Sequence, residues 1–378
     1  TTAIDLGTGR TAVAVSAGRE HTCAILDNGD LKCWGRDSQG QLGDGGTTHA
    51  YSTHTTAPSS TAIDLGSGRT AVAVSAGHHH TCVILDNGEA KCWGDKALGQ
   101  LGDGSNTNLY APSSTAIDLG TGRTAVAMSA GWGQHTCAIL DNGEAKCWGW
   151  DGSGQLGDGG SNTDQASPVA VSGSNTWDSS TTASSGSGST ANTLSSSAEG
   201  ANLIVGIPMT DITFGTNSAS SSSLALGFRH TCGLLDNGSV KCWGVHDHGR
   251  LGNFATQHIG DNAGEMGDTL AVTNLGTGRT ATSISAGLEQ NSPHTCAVLD
   301  DGTVKCWGYN YYGQLGIGNM TNMGDTADIM GDNLATVDLG TGRTAVDVSV
   351  GNQFSCALLD NGDVCLLYTS PSPRDQCL

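Results

Sequence analysis

The chain has 378 residues, a formal net charge of −20, 57 glycines, 7 prolines and only 14% charged residues. The negative charge argues against nucleic acid or an anionic membrane surface as a partner. Runs of strong helix formers are absent, and no stretch approaches a membrane-spanning length, so a turn-rich β architecture is expected.

The chain opens at Thr1 inside a lead, "TAIDLGTGRTA", without an initiator Met or a signal peptide. We read it as a processed or truncated piece. The first predicted strand is the alternating "TAVAVSAG", residues 11–18. The second and third flank the turn in "HTCAILDNGDLKCWG", residues 21–35, and "GQLGDG" closes the unit. The block around Cys23 returns at Cys82, Cys137, Cys232, Cys296 and Cys356, in steps of 59, 55, 95, 64 and 60 residues. Four short strands in each unit is the content of one propeller blade, with a β-solenoid as the competing architecture. The long step holds a Ser/Thr/Gly-rich insertion at about 160–223 with an almost non-apolar centre, 171–199, read as an exposed loop. Residues 201–215 are expected to hold a strand pair. The tail 365–378 breaks the repeat and reads as non-native or linker-like, leaving 1–364 as the repeat domain.

The cysteine pairs depend on the turn. A two-residue turn at Asn28-Gly29 sets Cys23 against Trp34, and in copies two and three sets Asp86 against Glu89 and Asp141 against Glu144. Like charges directly opposite are unfavourable. A type I turn with a bulge at Gly29 pairs Leu26 with Asp30, Ile25 with Leu31 and Cys23 with Cys33 instead. We prefer this second register. It predicts the bonds Cys23–Cys33, Cys82–Cys92, Cys137–Cys147, Cys232–Cys242 and Cys296–Cys306. Cys356 is left without its partner, because Cys365 stands one place early. The competing readings are small buried thiols and zinc ligation, and this spacing is not that of a zinc knuckle. Paired cysteines favour an oxidising compartment.

The unit "SAGxxHTCxxxDNGxxKCWGxxxxGQLGDG" resembles the regulator of chromosome condensation repeat. Its marks are the Trp-Gly pairs from Trp34-Gly35 to Trp307-Gly308 and the Gly-Gln-Leu-Gly closures, the fourth carrying Arg250 in place of Gln. The resemblance implies an all-β propeller of about six to seven blades, of which five full units and the start of a sixth are visible. The founding member's nucleotide exchange on a GTPase is not carried over, because one fold serves many roles.

Other motifs read as architecture. His80 in "HHH", 78–80, is the repeat histidine, equivalent to His21, His135, His230 and His294, so hydrogen bonding outranks metal binding. His246 and His248 are read the same way. The Gly-Asp-Gly turns at Asp44, Asp103 and Asp158 lack the ligand pattern of a calcium loop. Arg10, Arg69, Arg123, Arg279 and Arg343 in "LGTGR" are expected to pair with carboxylates or cap turns rather than to cradle phosphate. Every repeated Ser, His and Asp recurs with the unit, so no catalytic set stands out, and no enzyme, cofactor or metal is expected. Asn237 and Asn319 head N-glycosylation sequons.

The reading is therefore a disulfide-braced extracellular or cell-surface scaffold. It binds protein or glycan through the loops "RDSQ", "DKAL", "WDGS", "VHDH" and "YNYY", with Tyr309, Tyr311 and Tyr312 as anchors and self-assembly open to it. The alternatives are an intracellular guanine-nucleotide exchange factor or GTPase-binding regulator, and a secreted hydrolase or lyase with carboxylates in the channel.

Overall fold

A computed structural model describes residues 4–46, 54–55, 57–105, 107–160, 162–172, 223–287, 292–351 and 353–367. Most of the Ser/Thr-rich insertion, the strand pair expected at 201–215 and the tail after Leu367 lie outside these residues. Six antiparallel sheets follow one another. Blade one holds β1 (Ala12–Ala17), β2 (His21–Leu26), β3 (Leu31–Arg36) and β4 (His54–Thr55). Blade two holds β5 (Ala71–Ala76), β6 (His80–Leu85) and β7 (Ala90–Gly94). Blade three holds β8 (Ala125–Ala130), β9 (His135–Leu140), β10 (Ala145–Gly149) and β11 (Gln165–Ala170). Blade four is β12 (Ser223–Leu226), β13 (His230–Leu234) and β14 (Val240–Gly244). Blade five is β15 (Ala281–Ala286), β16 (His294–Leu299) and β17 (Val304–Gly308). Blade six is β18 (Ala345–Val350), β19 (Ser355–Leu359) and β20 (Val364–Leu367).

The hairpin register is the bulged one. The Leu26 amide donates to the Asp30 carbonyl (2.8 Å), Gly29 takes φ +80°, and Cys23 lies opposite Cys33. A residue with a Cβ is strained at that φ, which is why the third turn position is glycine.

Two expectations are corrected. Only two blades have four strands among the described residues. In blades two, four and five the outer segments pair only through isolated bridges: Gly94 to Leu109, Gly244 to Ile259 with Lys241 to Val272, and Gly308 to Met323. Each of those glycines has φ between +102° and +112°, comparable to Gly35 (+115°) and Gly149 (+105°) in the blades that keep a fourth strand, so this turn does not itself decide whether the outer strand forms. Second, ordered strand intrudes on both segments set aside in the sequence. Gln165–Ala170 pairs with β10, so the insertion begins later than 160. Blade six runs on through Leu367, because Cys365 and Leu367 alternate inward as the repeat strand does.

The blades pack face to face. The face of blade one bearing Cys23, Ile25, Leu31 and Cys33 lies against Val74, Val83, Leu85 and Trp93 of blade two. The same arrangement recurs to the fifth interface, where Cys296, Val298, Val304 and Cys306 meet Val348, Ala357, Leu359 and Leu367. On blade six the matching face is bare. Val364 is 53% exposed where Val304 is 0%, and Leu366 is 38% exposed where Cys306 is 0%.

A polar latch repeats at each interface. Thr81 Oγ1 donates to the Gln41 carbonyl (2.8 Å), and Trp93 Nε1 donates to the same oxygen (3.1 Å). With its proton so engaged, Thr81 Oγ1 accepts from His21 Nε2 at 2.9 Å. The same contact joins His80 to Thr136 (3.0 Å), His135 to Thr231 (3.1 Å), His230 to Thr295 (3.1 Å) and His294 to Ser355 (2.8 Å). Nearer the axis, Ser16, Ser75 and Ser285 accept the backbone amides of Ala76, Ala130 and Val350 on the next blade. Thr81→Val keeps the shape but strands the buried His21 donor. It is expected to cost about 1–3 kcal/mol, read as a lowered melting temperature.

Candidate partner-binding face

The two ends of the blades differ chemically. At one end lie the Asx-Gly tips. Here each "LGTGR" arginine meets the repeat aspartate, at 3.4 Å for Arg10–Asp27, Arg69–Asp86 and Arg123–Asp141 and 3.5 Å for Arg279–Asp300 and Arg343–Asp360. These pairs are about one-third exposed and contribute little energy, on the order of 0–1 kcal/mol each. The Gly-Asp-Gly turns cap themselves: Asp44, Asp103 and Asp158 each accept the amide two residues on, at 2.7–2.9 Å.

The other end gathers the loops of variable sequence. Each residue after a Trp-Gly pair is tied to the loop between the first two strands of its blade. Arg36, Asp95, Trp150, Val245 and Tyr309 donate their amides to the carbonyls of Glu20, His79, Gln134, Arg229 and Pro293. Buried side chains hold these loops from below. Asp37, Asp151 and Asn310 accept the amides of Leu42, Leu156 and Leu315 at 2.9–3.0 Å. Lys96, in the same loop of blade two, pairs with Asp103 and Ser105.

Aromatic rings cover this end. Tyr309, Tyr311 and Tyr312 form one cluster with centroids 5.3–6.4 Å apart, and His248 of the neighbouring blade lies 5.0 Å from Tyr309. Tyr311 is 65% and Tyr312 47% exposed. His246 and His258 belong to the same neighbouring blade, with Nδ1 atoms 3.2 Å apart. On blades three and four the Arg229 guanidinium lies 4.4 Å over the Trp150 ring and 5.1 Å from Phe228. The sequence reading singles out the tyrosines, includes Trp150 only as part of the "WDGS" loop, and misses Phe228 and Arg229. The signal that could have found them is their place in the repeat. Trp150 directly follows the Trp148-Gly149 pair, as Tyr309 follows Trp307-Gly308, and Phe228-Arg229 directly precedes the repeat histidine His230.

The five predicted cysteine pairs are bonded in the structure, with Cα atoms 4.0–4.1 Å apart. Cys356 is a free thiol opposite Leu366, while Cys365 lies opposite Ala357 and is itself disulfide-bonded. His78, His79 and His80 do not act together, since His80 enters the blade-two core. Among the described residues no group of three or more His, Cys, Asp and Glu is placed to hold a metal. Asn237 is exposed at a hairpin tip and Asn319 is exposed on a loop. The central channel, about 480 Å³, is lined by Ser16, Ser75, Ser129, Ser285, Trp132 and Phe354 among others, and by no carboxylate of the described residues.

The regulator of chromosome condensation (RCC1) repeat matches residues 12–41, 71–100, 125–155, 222–250 and 291–314, and a second model of the same repeat matches 28–84. The chain carries RCC1 repeats. It is 28% identical to the ultraviolet-B receptor UVR8 of Arabidopsis thaliana over 82% of this chain and 68% of that protein. It is 25% identical to the mitochondrial RCC1 domain-containing protein RUG3 of the same plant, over 96% of this chain and 66% of that protein. The human E3 ubiquitin-protein ligase HERC2 is 27% identical over 65% of this chain, which spans 5% of HERC2. Among solved structures, human WBSCR16 matches with TM-score 0.65 at 15% identity, over 96% of this chain and 78% of that one. Yeast RCC1 (Prp20), solved bound to Kap60, matches with TM-score 0.62 at 15% identity, over 94% and 69%. The chain is thus an RCC1-type β-propeller.

Proposed function

We propose that this RCC1-type propeller is a non-enzymatic scaffold outside the reducing cytosol that binds a protein partner through its loop end. The observation that carries the reading is the exposed Tyr309–Tyr311–Tyr312 cluster on a rigid, latched set of blades. Tyrosine offers large contact area at low entropic cost, and such rings dominate interface energetics. The disulfides support an oxidising compartment. A GTPase-regulator role has only the likeness to yeast RCC1 behind it, at 15% identity.

The test is affinity capture of partners from the native extracellular fraction, followed by quantitation of each captured protein against variants. The double substitution Tyr311→Ser, Tyr312→Ser is expected to lower capture of the partner by at least about tenfold, the scale of one interface hot spot. Arg69→Ser, at the opposite end, is expected to leave capture unchanged. Equal loss from both variants, or from neither, overturns the assignment of the face.

A further inference from the structure

The loop end carries a second cluster that the tyrosines do not touch. Arg19 and Glu20 come from the β1–β2 loop, and Arg36 ends β3. His78 and His79 come from the β5–β6 loop, and Trp132 from the β8–β9 loop. The loops are tied across blades, since the Arg19 amide donates to the Gly77 carbonyl at 3.2 Å.

Arg19 Nη1 donates to His78 Nε2 at 2.6 Å, which places the imidazole proton of the neutral ring on Nδ1. Arg36 donates to the Glu20 carboxylate. His79 Nε2 stands 3.6 Å from the same carboxylate, beyond hydrogen-bond reach. The His78 ring lies 4.1 Å from that of His79 and 6.3 Å, edge-on, from that of Trp132. Three ring nitrogens, His78 Nδ1, His79 Nε2 and Trp132 Nε1, are buried with no hydrogen-bond partner among the described residues. Buried donors are normally paired, so the His78 Nδ1–H and Trp132 Nε1–H groups call for an acceptor. Two guanidiniums and two titratable imidazoles here face the Glu20 carboxylate, with the charge of Asp95 also acting on His79, on a chain of net charge −20.

We infer that Arg19, Arg36, His78, His79 and the Trp132 indole N–H form an anion site for the carboxylate side chains of an acidic partner segment, with Glu20 as its internal ligand in the free chain. The inference rests on the loop end being the protein-binding face. Glu20 shows the chemistry the site accepts: a carboxylate held by a guanidinium, the pairing whose geometry arginine matches.

The site also predicts a pH dependence. Burial, then the charges of His79 and Arg19, push His78 down to about 4. Burial, then Arg19 and Arg36, lower His79, while Asp95 and Glu20 oppose them. The nearby repeat histidines His21 and His80 are buried and uncharged at neutral pH. An incoming carboxylate offsets the cationic neighbours of His79 and raises it, so binding takes up a proton there and tightens as pH falls.

The experiment is fluorescence anisotropy with a labelled hexaglutamate peptide at physiological ionic strength, at pH 7.5 and 6.5, with near-ultraviolet circular dichroism confirming that each variant is folded. Saturable binding is expected, tighter at pH 6.5 than at pH 7.5. Arg19→Ala is expected to weaken it about tenfold, the scale of a lost charge-assisted hydrogen bond. Glu20→Gln is expected to tighten it, because the internal competitor loses its charge. A merely structural ion-pair network gives the opposite sign for Glu20→Gln. Absence of saturable binding, equal binding by wild type and folded Arg19→Ala, or weakening in Glu20→Gln overturns the site. If hexaglutamate binds as expected but Tyr311→Ser, Tyr312→Ser retains every partner, the anion site stands and the tyrosine anchor falls.

Discussion

Lowering the pH from 7.5 to 5.5 is expected to reduce the stability of the folded protein steeply. Five imidazoles are fully enclosed at the blade interfaces. Burial pushes His21, His80 and His230 down to about 3, and His135 and His294 down to about 4. In the unfolded chain the same groups titrate near the ordinary value of 6.5. Below that value the unfolded state binds protons that the folded state refuses. The stabilising contribution is therefore complete above about pH 6.5 and is lost as pH falls toward 4 and then 3. One unit below 6.5, each histidine costs about 1.4 kcal/mol, and five cost about 7 kcal/mol if they act independently. That is comparable to the whole stability of an ordinary domain, about 5–15 kcal/mol. Asp151 works in the other direction. Burial raises it to about 7, with the nearby Asp158, Asp164 and Asp261 adding to the rise and the Leu156 amide opposing it, so its folded form gains a proton on acidification. Asp347, which burial also raises against its hydrogen bonds from Ser283 and Val348, acts the same way, and two such groups do not cancel five.

The measurement is the urea midpoint at pH 7.5, 6.5 and 5.5 with the disulfides intact. His80→Asn keeps a donor near Thr136 but removes the titration, so its midpoint should fall less with pH than that of wild type. A midpoint that is flat between pH 7.5 and 5.5 would falsify the neutral-latch account. An exposed histidine in the same sequence context would show no such dependence.

Much of this architecture is legible in the sequence because the repeat exposes it. Like charges at Asp86/Glu89 and Asp141/Glu144, together with Gly29 and its equivalents, select the hairpin register without any tertiary information. Recurrence of His21 through His294 marks those side chains as architecture. Partners across interfaces are not legible. Thr81 serves the Gln41 carbonyl 40 residues earlier and His21 60 residues earlier, and nothing local announces either contact. The run His78-His79-His80 misleads because only His80 belongs to a strand. The loop residues before it turn outward and meet Arg19 and Glu20 from 59 residues upstream.

The second large effect concerns the disulfides. In denaturant without reductant, alkylation is expected to label Cys356 and spare the ten hairpin cysteines. The bonded hairpin cysteines are at most 5% exposed, so a reductant reaches them in the folded protein only when a blade opens. Each bond closes a loop with a sequence separation of 10 residues. In the chain-entropy model a loop of that size is stabilised by about 2–3 kcal/mol. Five bonds together then rival the total stability of the domain, so reduction should bring the thermal transition down sharply or abolish it. The bonds lie on the faces that meet the next blade, so reduction also loosens interfaces rather than hairpins alone. Cys296→Ser with Cys306→Ser isolates one bond and should cost about 2–5 kcal/mol, since it also places two hydroxyls in the apolar contact with Val348 and Leu367. Free alkylation of all the hairpin cysteines in native, source-purified protein would mean that the thiols are kept reduced. The scaffold would then work in a reducing compartment, its stability would rest on the His–Thr latches and apolar faces alone, and the GTPase-regulator alternative would become the one to test.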